Sequence, residues 1–127
     1  MATEGPLIHD GSQTTAAADL STKQFYAVKI TAARAVNVAS SGGEAIYGIL
    51  QNNPTSGLAA DVGILGVSKA IIGAAVSAGD YLMTDTAGKL ITATSTNHRV
   101  AQALEAGTTS GQLITVALGP NSGDTVA

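Results

Sequence analysis

The chain has 127 residues, of which 45% are apolar and 3% aromatic, enough for one small domain with a core of Val, Ile, Leu and Ala. Charged residues make up 12%, about half of the roughly 25% usual in soluble domains. The net charge of −3 and six scattered basic residues argue against nucleic-acid binding, and the lack of Cys excludes disulfides, thiol nucleophiles and thiolate zinc sites. No apolar run approaches the roughly 18 residues of a membrane-spanning helix, so no membrane partner is predicted.

The first 22 residues (MATEGPLIHDGSQTTAAADLST) contain two glycines, a proline and many hydroxyl side chains. They show no sustained periodicity, which predicts an extended N-terminal arm outside the core. Leu7 and Ile8 form the only apolar pair in this segment. They belong either to a frayed terminus or to an anchor that docks on a partner.

From Phe25 onwards, β-branched residues alternate with period two, as in half-buried strands. Glycine-rich or Asp-rich turns separate the predicted strands. These strands lie at residues 26–31, 36–38, 45–51, 62–72, 81–84, 89–94, 100–105 and 112–118. Gly63 and Gly66 interrupt the longest strand and indicate a bulge, a bend or a close backbone contact. The spacing predicts an all-β fold over residues 23–119, a small β-barrel or a β-sandwich-like domain, followed by a loose C-terminal tail over residues 120–127.

Two short segments of the chain are similar to each other at a shift of 54 positions. Leu50, Thr55-Ser56-Gly57 and Val62 align with Leu104, Thr109-Ser110-Gly111 and Val116. Residues 100–104 taken alone also fit a helix. The alignment favours a strand there and predicts two copies of a strand–turn–strand unit.

Catalytic chemistry finds little support in the sequence. His9 and His98 have no second His, Cys or carboxylate at metal-ligand spacing, and no Gly-x-Ser-x-Gly nucleophile elbow occurs. Asp80 and Asp85 bracket one predicted strand, where capping of turns is the usual role of Asp. The sequence therefore predicts no enzyme, no metal site and no cofactor.

Several stretches of the chain carry a family resemblance. In the C-terminal half they are AVSAGDYL at residues 75–82, GKL at 88–90, RVAQALEAG at 99–107 and GQLITVAL at 111–118; an earlier one runs from YGILQ at 47–51 to Gly66. Together they resemble tailed-bacteriophage capsid cement proteins, also called head decoration proteins. The similarity extends over about residues 23–119.

The resemblance implies a structural virion protein, made in the cytoplasm of a bacterial host, that binds the outer surface of an icosahedral capsid. Such proteins commonly form homotrimers at three-fold and quasi-three-fold positions, where they bridge neighbouring major capsid proteins. Their N-terminal arm often contacts the capsid. In this chain that role falls to Pro6, Leu7, Ile8 and His9 as the candidate capsid-binding residues.

Two other classes of protein stay open at this stage. A carbohydrate-binding or adhesion module on a virion or cell surface needs exposed aromatic rings, and the chain has only Phe25, Tyr26, Tyr47 and Tyr81. An enzyme domain needs a converging polar pocket. Its only candidate residues are Asp61, Asp80, His98 and Arg99.

Overall fold

The computed structural model describes residue 2 and residues 5–94 and 97–119, where it contains β-strands and no helix. The all-β prediction is confirmed, whereas the predicted tail at residues 120–127 lies outside the described residues. The strands in chain order are β1 (Leu7–His9), β2 (Thr14–Ala16), β3 (Ala27–Ala32), β4 (Ala35–Val38), β5 (Gly48–Leu50), β6 (Ala59–Ala60), β7 (Val62–Ile71), β8 (Tyr81–Thr84), β9 (Leu90–Thr92), β10 (Ala101–Ala103) and β11 (Leu113–Leu118). In these ranges there is no helix long and apolar enough to cross a membrane.

All eleven strands belong to one sheet. Its order is β6-β2-β4-β3-β5-β7-β11-β10-β8-β9, with β1 paired to β7 outside this path. Neighbours are antiparallel except β2 and β4, which run parallel. The path ends at β6 and β9, which do not pair with each other, so the sheet is not closed into a barrel.

The long strand β7 joins the two halves of the sheet. It pairs with β5 and β1 near its start and with β11 over Gly66 to Ile71. In β11 the three residues predicted to share a face, Ile114, Val116 and Leu118, are all buried, although Thr115 between them is buried as well. The alternation fails in β3, where Ile30 is 49% exposed.

The two copies of the strand–turn–strand unit both form antiparallel pairs, but their registers differ by one residue. Leu50 lies opposite Val62 in the first copy, whereas Ala103 lies opposite Val116 in the second. A slip of one residue moves side chains to the other face of a strand. Leu50 is accordingly fully buried, while its counterpart Leu104 is 49% exposed.

The buried residues form two clusters. The larger one lies among β7–β11 with contributions from β3 and β5, and the smaller one lies among β2–β7 and includes Val28, Val36 and Leu50. Leu20 belongs to the smaller cluster and is only 2% exposed. Residues 14–20 therefore contribute a strand and a core side chain, although their composition predicted an extended arm. A three-residue strand is too short to show a periodicity, and its partners β4 and β6 are distant in sequence.

Candidate functional site

The N-terminal strand β1 lies antiparallel along β7. Leu7 is opposite Gly66 and Ile8 is opposite Leu65, and the register then shifts by one so that His9 is opposite Gly63 and Ile64 of β7 is skipped. Hydrogen bonds hold the segment at both ends: Val67 N–H donates to the Pro6 carbonyl at 2.9 Å, and Asp10 N–H donates to the Val62 carbonyl at 2.9 Å. The four residues predicted to bind the capsid are thus fixed on the sheet.

Two glycines of β7 make room for β1. A Cβ on Gly66 would collide with the Pro6 carbonyl oxygen and lie 2.9 Å from Leu7 Cα, and one on Gly63 would lie 2.9 Å from Leu7 Cδ2. Gly66 also has a φ of +118°, which a residue with a side chain rarely adopts. Of the alternatives that the sequence indicated, a close backbone contact is confirmed at Gly66, whereas the close neighbours of Gly63 are side-chain atoms.

The predicted capsid-binding residues face different surroundings. Leu7 packs against the larger core cluster, so it is a supporting residue of the fold. Ile8 is 56% exposed and its partner Leu65 is 44% exposed. Adjacent residues of a strand point to opposite faces, which explains the division between Leu7 and Ile8. We call the exposed pair Ile8 and Leu65 the β1–β7 patch.

A polar pair lies at the end of β1. His9 Nδ1 lies 2.8 Å from Asp61 Oδ1, with 43% of the histidine side chain and 34% of the aspartate side chain exposed. Such exposed pairs stabilise a fold by only about 0–1 kcal/mol. The pair therefore adds little to the stability of the contact between β1 and β7.

Asp10 holds the turn between β1 and β2 and was not singled out by the sequence. Its Oδ1 accepts from Ser12 N–H at 3.0 Å, and its Oδ2 accepts from the Thr14 hydroxyl at 3.1 Å and the Tyr47 hydroxyl at 3.2 Å. Burial raises the pKa of Tyr47, and the negative charge and hydrogen bond of Asp10 raise it further. The Asp-Gly-Ser sequence was the available signal, since Asp commonly accepts from the N–H two residues later.

The four candidates for an enzymatic pocket have separate partners. Asp61 pairs with His9, Asp80 accepts from Ser77 N–H and the Thr92 hydroxyl, and Arg99 stacks on Tyr81. The backbone N–H of His98 donates to the Gly43 carbonyl. Across the described ranges no three His, Cys, Asp or Glu residues are grouped as a metal site.

Turn capping accounts for the two aspartates that bracket β8. Asp80 Oδ2 accepts from Ser77 N–H at 2.9 Å. Asp85 Oδ1 accepts from Ala87 N–H at 2.8 Å and Lys89 N–H at 3.0 Å, within the β8–β9 turn. The sequence interpretation of both residues as turn caps is confirmed.

Three of the four aromatic rings lie against the cationic group of a Lys or Arg side chain. Lys23 Nζ lies 4.8 Å from the centroid of Tyr26, Lys69 Nζ lies 5.7 Å from that of Phe25, and Arg99 Cζ lies 4.4 Å from that of Tyr81. One face of each of these rings is occupied by a cation. The supply of free ring faces for stacking on a sugar is correspondingly small.

No model of a known protein family matches the chain, and no curated protein matches it significantly. Among solved structures, the chain is similar to the N base of the head fiber gp8.5 of bacteriophage phi29. The TM-score is 0.66 over 93% of this chain and 98% of that chain, with 16% sequence identity. At this identity the likeness is one of fold.

Proposed function

We propose that the protein is a structural component of a phage virion and binds the outer surface of the head. The observation that carries the proposal is the fold likeness to the base of a phage head fiber, which extends over nearly the whole of both chains. The low charge supports it, because a chain with only 12% charged residues has a surface suited to being covered by neighbouring subunits.

The β1–β7 patch is the proposed contact with the major capsid protein. Ile8 and Leu65 are the most exposed large apolar side chains of β1 and β7. Because β1 packs closely against Gly63 and Gly66 of β7, the patch is held in a fixed position. Little conformational ordering of these side chains and this backbone is therefore required on binding.

Stabilisation of the shell is the proposed role. Homotrimers at three-fold and quasi-three-fold positions would each touch several major capsid proteins. A protein that binds only the assembled state stabilises that state by mass action. Because the sites repeat over the shell and are linked within each trimer, each single contact can be weak. No catalytic step is part of the proposal.

Sedimentation of native particles provides the test. A lysate from the native source is separated on a density gradient, and the 12.5 kDa chain is quantified across the fractions. We expect the chain to co-migrate with heads in a copy number comparable to that of the major shell protein. Its restriction to the light fractions, with intact heads sedimenting without it, would overturn the proposal.

Two further measurements test the finer parts of the proposal. Sedimentation equilibrium of the purified chain distinguishes monomer from trimer, and adding it to heads that lack it tests saturable binding and resistance of the shell to heat. Saturable binding with unchanged heat resistance would retain the virion role and reject the stabilising one.

A further inference from the structure

A cleft of about 170 Å³ opens between the segment before β5, the strands β7 and β11, and the start of β10. It is lined by Ile46, Tyr47, Gly48, Ile64, Arg99, Val100 and Leu118. A cavity of about 150 Å³ admits one benzene-sized molecule, so this space suits a group of about six heavy atoms. Arg99 is the only charged residue among the lining residues.

Arg99 is held against an aromatic ring, and no carboxylate of the described residues pairs with it. Its guanidinium carbon lies 4.4 Å from the centroid of the Tyr81 ring, a stacking contact that orients the guanidinium plane. In the described part of the chain, the ion pairs involve Lys29 with Glu44 and His9 with Asp61, and none involves Arg99. The buried Nε–H of Arg99 also has no acceptor, which is unfavourable for a donor removed from water.

The chemistry of the cleft selects the kind of group that fits. A guanidinium presents a planar fork of donors that matches a carboxylate. The accessible apolar side chains of the lining, Ile46 and Ile64, suit an aliphatic stem behind that carboxylate. A phosphate would bring a larger charge, and the lining supplies no second cation to meet it.

We infer that the cleft binds a carboxylate on a short aliphatic stem, received by the guanidinium of Arg99. Two sources share this chemistry: the side chain of an acidic residue on a partner protein, and a free short-chain carboxylic acid. The inference does not depend on the proposed role in a virion.

Titration of the full chain, followed by nuclear magnetic resonance, tests the inference. The probes are butyrate for a free acid and N-acetylglutamate N-methylamide for a side chain, with the corresponding neutral amides as controls. We expect saturable shifts of the Arg99 Nε–H and of the methyl groups of Ile46 and Ile64 with at least one carboxylate, and none with the amides. Whichever probe saturates identifies the source.

Paired variants separate the guanidinium from general charge. Arg99→Gln should weaken binding at least tenfold, whereas Arg34→Gln removes the same charge from an exposed position and should leave the affinity unchanged. If Arg99→Gln fails to fold, Arg99→Lys keeps the charge without the fork and should weaken binding at least threefold. The inference is overturned if neither carboxylate gives saturable shifts, if the amides bind equally well, or if a folded Arg99 variant retains wild-type affinity.

Discussion

The hydroxyl of Tyr47 donates a hydrogen bond of 3.2 Å to Oδ2 of Asp10, across 37 positions of the sequence. Asp10 accepts three more hydrogen bonds, from Ser12 N–H and the Thr14 hydroxyl within the turn that leads from β1 to β2, and from Val62 N–H. This carboxylate therefore connects the N-terminal strands to the segment that precedes β5. The position of the β1–β7 patch depends on it.

Removing the Asp10 carboxylate should destabilise the protein. We expect Asp10→Ala to lower the free energy of unfolding by about 2–3 kcal/mol, because several part-buried donors lose their acceptor, and Tyr47→Phe to lower it by about 1 kcal/mol. Urea denaturation of both variants measures this. Equal stability of Asp10→Ala and wild type would show that water replaces the carboxylate without cost.

The stability of the wild type should fall at alkaline pH through Tyr47. Burial and the neighbouring Asp10 raise the pKa of Tyr47, so the folded state retains the phenol proton after the unfolded state has lost it. This contribution to stability is fully present below the ordinary tyrosine pKa of about 10 and is lost as the pH rises through the folded-state value. Above about pH 10 the wild type should therefore lose stability more steeply than Tyr47→Phe. Parallel curves for the two proteins would contradict this.

Glu44 should contribute an acid-sensitive part of the stability. Burial alone would raise its pKa, but hydrogen bonds from Lys29 and from the backbone N–H groups of Ser41 and Ser40 outweigh that effect and lower the pKa. The ion pair with Lys29 has a distance of 3.0 Å. Glu44→Gln should thus cost about 1 kcal/mol at neutral pH.

The pH dependence of this cost has a definite sign. A lowered pKa gives stability that is present above the ordinary glutamate value of about 4.3 and is lost as the pH falls through the folded-state value. The difference between wild type and Glu44→Gln should therefore shrink as the pH drops below about 4. Denaturation curves at a series of pH values measure it, and a difference that persists unchanged in acid would rule out the carboxylate as its source.

The contact between β1 and β7 can be broken at one glycine. Gly66→Ala places a methyl group against the Pro6 carbonyl and Leu7 Cα, whereas Gly79→Ala has a comparable positive φ but no atom within 4 Å of the new Cβ. Gly79→Ala should cost about 1–2 kcal/mol from the backbone alone, and Gly66→Ala about 1 kcal/mol or more beyond that. Hydrogen exchange of the Val67 amide, which donates to Pro6, should accelerate only in Gly66→Ala.

The proposed capsid contact can be tested with substitutions of exposed side chains, which should leave the fold intact. Ile8→Asp and Leu65→Asp place charges on side chains that are 56% and 44% exposed, and both should abolish binding to heads. Leu104→Asp alters a side chain of similar exposure, 49%, and should bind normally. Deletion of residues 2–20 is a poorer probe because it also removes β2 and Leu20. Unimpaired binding of both patch variants would exclude the patch as the contact.

Most of the strands, though not all of their bounds, could be predicted from the sequence alone. Alternation along β11 and the glycine interruptions in β7 are local signals, and so are the aspartates that cap the β8–β9 turn. Each depends on residues a few positions apart, whose preferences act on one short stretch of backbone. The low charge and the lack of Cys likewise reduced the number of functional classes to be considered, from composition alone.

The tertiary structure alone decided which apolar residues are buried and which polar groups meet. Leu50 and Leu104 occupy equivalent places in similar segments, yet a one-residue difference in register buries the first and exposes the second. Long-range pairing sets that register, and no local signal encodes it. The cleft lined by Arg99 also depends on long-range pairing, because the fold brings Ile46, Ile64, Arg99 and Leu118 together from distant positions.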